Sequence, residues 1–133
     1  MNSPKTEAPP EINILLVDDE EKLLDSMAFR LKREGYSVTI ANNGAQAKLK
    51  IDGHHYQMIV TDLQMPKMSG ERFIQAIRTS KQNRITPVIV ISGHLDHPKV
   101  IELKDDACRL LVKPFEFATL LETIQKMLPK VPR

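Results

Sequence analysis

Hydrophobic positions along this chain switch repeatedly between two periods. Ile12 to Val17 is an apolar run broken only by Asn13, the pattern of a strand buried on both faces. The period then changes: Leu23, Leu24, Met27, Ala28 and Leu31 share one face of a helix, which Gly35 stops. Tyr36 to Ala41 alternates as a second strand. Gly44 to Gly53 predicts a weaker helix, since Ala45, Ala47, Leu49 and Ile51 lie only partly on one stripe. Met58 to Thr61 is a third strand, and Phe73, Ile74 and Ile77 mark a third helix over Gly70 to Ser80. A fourth strand runs from Pro87 to Ile91, with proline at the first position, where a strand tolerates it. A short helix is expected to start near Pro98, and a fifth strand covers Leu110 to Val112. The last helix buries Phe117, Leu120, Leu121, Ile124 and Leu128.

Five strands alternating with five helices predict an α/β fold, a doubly wound parallel sheet with helices on both faces. The common small form of this plan is flavodoxin-like, with five strands in the order 2-1-3-4-5. Its ligand site lies beyond the carboxyl ends of the strands. Pro4, Pro9, Pro10, Pro129 and Pro132 fall outside the periodic region, so one domain is expected over 11–129 with tails at 1–10 and 130–133.

Composition narrows the function. The chain has 133 residues and a formal net charge of +2, too little to hold a phosphate backbone. With four Phe, two Tyr and no Trp it also has little to stack on bases, so no direct nucleic-acid partner is expected. The single cysteine, Cys108, excludes an internal disulfide and a multi-cysteine zinc site. No apolar run approaches the roughly 20 residues that span a bilayer, and no secretory signal core is present. A cytoplasmic chain with no membrane partner is the expectation.

The strand ends carry the chemistry. Strand one ends in Asp18-Asp19, strand three in Asp62, strand four in Ser92-Gly93 and strand five in Lys113-Pro114, whereas strand two ends in the uncharged Asn42-Asn43. Three carboxylates in one crevice repel by roughly 4 kcal/mol per pair at about 4 Å and an effective dielectric near 20. They stay ionised only beside positive charge. Lys113 supplies one unit, and a hard divalent cation suited to oxygen ligands, Mg2+, would supply the rest. A carboxylate beside Mg2+ and an ammonium is equipped to attack phosphorus and form an acyl phosphate. Asp18 and Asp19 are adjacent and suit metal binding; Asp62 stands alone and is the expected nucleophile.

Each residue taken singly has a plainer reading. Asp18 and Asp19, with Glu20 and Glu21, suit the positive end of a helix. Asp62 alone fits a turn, Ser92 a cap, and Lys113 a solvated strand end. Only their combination points to phosphoryl chemistry. His54, His55, His94 and His97 are expected to be surface residues, Cys108 a packing residue, and Lys126, Lys130 and Arg133 a solvated face.

The chain resembles the receiver domain of bacterial two-component response regulators, of the chemotaxis-receiver kind. The resemblance rests on Asp18-Asp19, on Asp62-Leu63-Gln64-Met65-Pro66 with Gly70, on Ser92-Gly93 and on Lys113-Pro114-Phe115. It implies that Asp62 accepts a phosphoryl group from a phosphohistidine of a sensor histidine kinase or phosphotransfer protein. It further implies that Asp18, Asp19, Asp62 and the backbone carbonyl of Gln64 hold Mg2+, Asp18 mainly through water. Lys113 would bridge to Asp62 at rest and to the phosphoryl oxygen afterwards, Ser92 would swing in to bond it, and the Lys113-Pro114 bond would be cis. Gly93, His94, Leu110 and Pro114 are the implied switch and tuning positions, with Gln64 and His94 affecting phosphoryl lifetime. A downstream protein would bind on the face of the fourth helix, fifth strand and last helix.

Two departures stand out. The family usually has Tyr or Phe three residues before the lysine, where this chain has Leu110, which has no ring to swing. Asp105-Asp106-Ala107 replaces the favoured Gly-Ala, and two acids at a helix C-terminus oppose its dipole. Ser92 and Lys113 also lie about one residue closer in sequence than usual, so a short or loosely held fourth helix is expected. The expected function is thus a self-phosphorylating signalling switch with autodephosphorylation, and no turnover enzyme. A phosphohydrolase would want a second Asp where Gln64 stands, and a docking-only relative would have lost an acid or the lysine.

Overall fold

The structure is a computed structural model and describes residues 11–63, 70–93 and 107–128. Its elements are β1 (Asn13–Val17), α1 (Glu21–Arg33), β2 (Ser37–Ala41), α2 (Gly44–Gly53), β3 (Met58–Asp62), α3 (Gly70–Thr79), β4 (Val88–Ser92), β5 (Cys108–Val112) and α4 (Phe117–Met127). The strands form one parallel sheet in the order β2-β1-β3-β4-β5, as expected. The helix predicted near Pro98 falls outside the described residues.

Residues of β3 and β4 are all buried, because both sheet faces above and below them are covered. One face packs Leu24, Met27 and Leu31 of α1 and Leu120 and Ile124 of α4 against Ile14, Leu16, Met58 and Val60. The other packs Ala47 and Ile51 of α2 and Phe73, Ile74 and Ile77 of α3 against Leu15, Val17, Ile59 and Val90. The odd and even positions of each strand thus serve opposite helix layers.

The strand boundaries differ from the sequence pattern in an instructive way. β3 and β4 each run one residue further, so that Asp62 and Ser92 are the last residues of their strands. Apolar patterning cannot extend a strand through a polar residue. The ladder does: Asp62 pairs with Ile91, Leu63 N donates to Ile91 O at 2.9 Å, and Lys113 N donates to Ser92 O at 2.8 Å. β5 also starts two residues early, at Cys108, and β2 one residue late, at Ser37.

Local signals set the helix ends. Gly35, at φ +99°, takes the left-handed turn that ends α1, with Gly35 N donating to Lys32 O and Tyr36 N to Leu31 O. Asn43 caps α2 by accepting from Gln46 N at 2.9 Å, while the Gln46 side chain accepts from Asn42 N at 3.0 Å.

The amino ends of the strands are tied by a buried polar knot. Asn83, fully buried, accepts from Tyr56 N and donates to Ile51 O and His54 O. Thr86 Oγ1 donates to Tyr56 O, and Arg78 donates to Thr86 O at 2.6 Å and to Ala107 O at 3.5 Å. This knot fixes the loop between α3 and β4 against the starts of β3 and β5.

Candidate functional site at the carboxyl ends of the strands

Parallel strands bring their carboxyl ends to one edge, so β1, β3, β4 and β5 deliver their last residues to a common crevice. Asp18, just beyond β1, is fully buried. Its Oδ1 accepts from Glu20 N at 2.9 Å, whereas its buried Oδ2 has no hydrogen-bond partner. Asp19 is exposed beside it, and Asp62 is buried at the end of β3. Asp18, Asp19 and Asp62 each offer a carboxylate oxygen, and these oxygens lie within 4.8 Å of one another.

Lys113 answers this charge. Its Nζ lies 3.4 Å from Asp62 Oδ2, 3.7 Å from Asp18 Oδ2 and 3.7 Å from Glu20 Oε1. Burial alone would lower the Lys113 pKa, but Asp62, Asp18 and Glu20 together outweigh it and raise it above its usual value. Asp18 moves the other way from a normal carboxylate. Burial raises its pKa from 3.8 to about 6, with Asp62 and Asp19 adding to the rise and the Glu20 N–H and Lys113 opposing it. One ammonium is therefore too little for three carboxylates.

That shortfall tests the fit to a metal. A buried carboxylate oxygen without a hydrogen-bond partner, converging with two further carboxylates, is a donor set for a hard divalent cation. The set fits Mg2+.

Ser92 is buried at the end of β4, between the strands that carry Asp62 and Lys113. Gly93 is exposed just after it, and a Cβ there would meet nothing within 4 Å. The Lys113-Pro114 bond is cis. Leu110 is half-buried against the core layer of α2 and α3. Gln64 and His94 lie outside the described residues, as does His97. His54 and His55 are exposed, as expected, and Cys108 is half-buried and in no disulfide.

One participant escaped the sequence reading. By sequence Glu20 belongs with Glu21 as a helix-terminal acid, yet of the two it is Glu20 that reaches Lys113. Its place directly after Asp18-Asp19 was the sole signal, and nothing in the sequence separated it from Glu21.

The comparisons agree with this geometry. The profile of the response regulator receiver domain matches residues 14–125. The chain belongs to the response regulator receiver family. Among curated relatives, the response regulator ArlR of Staphylococcus saprophyticus is 34% identical over 121 residues, covering 90% of this chain and 54% of ArlR. The receiver therefore spans about half the length of the curated relatives it matches. Among solved structures, the chemotaxis response regulator CheY4 of Vibrio cholerae is 30% identical with a TM-score of 0.79, covering 89% of this chain and 99% of that one. The response regulator TrrA of Thermotoga maritima, solved in complex with Mg(2+)-BeF, is 30% identical with a TM-score of 0.76, covering 88% and 99%. The chain is thus a receiver domain of two-component signalling, a signalling switch by family. Among the described residues, no helix is long and apolar enough to cross a membrane.

Proposed function

We propose that this receiver, over 11–129, is phosphorylated on Asp62 by the phosphohistidine of a sensor histidine kinase or phosphotransfer protein. The observation that carries the reading is the convergence of Asp18, Asp19 and Asp62 within 4.8 Å, with the Lys113 ammonium 3.4 Å from Asp62. Asp62 attacks phosphorus through a carboxylate oxygen; the P–O bond forms as the P–N bond breaks, and the imidazole leaves with the bonding pair. Lys113 pairs with Asp62 before transfer and neutralises a phosphoryl oxygen after it. Ser92 donates its hydroxyl to a second phosphoryl oxygen and draws Gly93 towards the site. Asp18, Asp19, Asp62 and the Gln64 carbonyl would hold Mg2+, with Asp18 acting mainly through water. When bound, Mg2+ supplies charge neutralisation at the phosphoryl oxygens. Gln64 and His94 set the approach of water and hence the phosphoryl lifetime, and Pro114 sets the direction from which Lys113 approaches.

The output is a change in partner affinity on the surface of β5, α4 and the helix expected near Pro98. Leu110 transmits it by packing rather than by turning a ring. The reading places the chain in the cytoplasm, where it modifies itself rather than turning over a substrate.

Intact mass after incubation with Mg2+ and a small acyl phosphate tests the reading. A single phosphoryl adduct is expected, absent in Asp62→Asn and after chelation. Folded protein that binds Mg2+ yet gains no adduct would overturn it and leave a docking module.

A further inference from the structure

The edge of the sheet farthest from β5 is built to receive another chain. Ser37 N donates to Ile12 O at 2.9 Å, and Ala41 O accepts from Asp18 N at 3.2 Å, so these residues turn their peptide groups towards β1. By the alternation of a parallel ladder, Val38 and Ile40 turn theirs outward, where no further strand lies among the described residues. β2 contains none of the usual devices against edge pairing: its five residues, SVTIA, include no charge, proline or glycine.

The flanks of this edge are selective. Ile40 is 43% exposed and Leu49 is 74% exposed, both uncommon for such residues. They line one groove of about 420 Å³ with Lys50 and His54. Lys50 and His54 also line an adjoining polar cavity of about 230 Å³, with His55, Tyr56, Asn13 and Thr39. Lys50 is half-buried and has no carboxylate partner among the described residues, unlike Lys48, which pairs with Asp52. Lys50 lines both cavities without a carboxylate partner among the described residues, which leaves it available to an anion.

We propose that the outer edge of β2 and the flank of α2 dock an extended, acidic segment of a partner protein, which adds to the sheet as a sixth strand. Its backbone pairs with the outward peptide groups of Val38 and Ile40. Its side chains alternate between faces. Ile40 pairs in register with Leu16, of the α1 core layer, so an apolar residue of the added strand covers Ile40 on that face. The next residue faces α2, where a carboxylate meets Lys50 and its aliphatic stem covers Leu49. The recognised pattern is therefore alternating apolar and acidic. A second copy of this chain fits less well, because β2 carries no acid to offer Lys50. The surface lies at the opposite sheet edge from β5, so docking is additional to the phosphorylation switch.

The test selects random octapeptides displayed against the full chain and maps the enriched ones by amide NMR. Alternating apolar and acidic peptides are expected to win and to shift Val38 and Ile40. Lys50→Glu should weaken them by about tenfold, and exchanging their acids for lysines should restore binding to that variant. Leu49→Ser, on an exposed helix position, removes the apolar contact without adding charge and should weaken them without altering amides elsewhere. No enrichment, basic winners, or binding indifferent to Lys50→Glu overturns the proposal. Shifts of Val38 and Ile40 that grow with protein concentration, without peptide, also overturn it and assign the edge to a second copy.

Discussion

Lys113 reaches past the end of β4 to Asp62, 51 residues earlier in the chain, and sets its Nζ 3.4 Å from Oδ2. Asp62 ends β3 and Lys113 follows β5, strands that do not pair with each other, so the register of β4 with both neighbours fixes their separation. Lys113→Ala removes the ammonium that Asp18, Glu20 and Asp62 share. Single-turnover mass spectrometry should then show acyl phosphate forming about 100-fold more slowly, with the fold retained. An unchanged rate would show that Lys113 is a structural counter-ion only.

Stability should vary with pH through Asp18, whose carboxyl is raised from 3.8 to about 6 chiefly by burial. Between these values the folded chain holds a proton that the unfolded chain releases. Metal-free protein is therefore most stable at the acidic end of that window and loses stability as pH rises through about 6, by on the order of 3 kcal/mol. Urea unfolding at a series of pH values should show this slope, and Asp18→Asn should flatten it. Added Mg2+ should stabilise the protein more at neutral pH than in acid, because the ionised carboxylate is the ligand.

Asn83 is worth more than its size suggests. Replacing it with alanine leaves Tyr56 N–H and the carbonyls of Ile51 and His54 without their buried partner. Asn83→Ala should cost about 3 kcal/mol, read as a lower urea midpoint with an unchanged slope. Phosphorylation of Asp62 should survive, because the knot lies at the opposite end of the sheet.

Tyrosine emission should be nearly blind to the switch. The only tyrosines, Tyr36 and Tyr56, precede β2 and β3 and so sit at the amino ends of the strands, and the position of a mobile ring near the site is Leu110. Phosphorylation or a beryllofluoride mimic should leave emission almost unchanged while shifting the amides of Ser92, Gly93 and Leu110. Large emission changes would mean that the rearrangement crosses the whole sheet.

The sheet order and the reactive constellation were legible because both follow from periodicity and from what stands after each apolar run. The apolar runs stop at Thr61 and Ile91, one residue short of the strand ends at Asp62 and Ser92, since a ladder of peptide hydrogen bonds does not care that a side chain is polar. Glu20 was hidden for a different reason: four consecutive acids look alike until the turn after β1 fans them apart. The weak stripe of α2 was visible as a pattern, but its meaning, an exposed Leu49 beside an open sheet edge, needed the neighbouring strand. Asn83 and Arg78 gave no signal, because the partners that define the knot are backbone groups, which every residue carries.

The buried knot around Asn83, Thr86 and Arg78 gives the molecule a mechanical asymmetry. One end of the sheet is bolted through loops, while the other gathers like charges that one lysine balances only in part. A fold arranged this way behaves as a cantilever: added charge at the free end bends the nearby strand tips and loops, and the anchored end holds the register. On the proposed reading, rearrangement at Asp62 would stay local and reversible, since the anchored end keeps the strands in register.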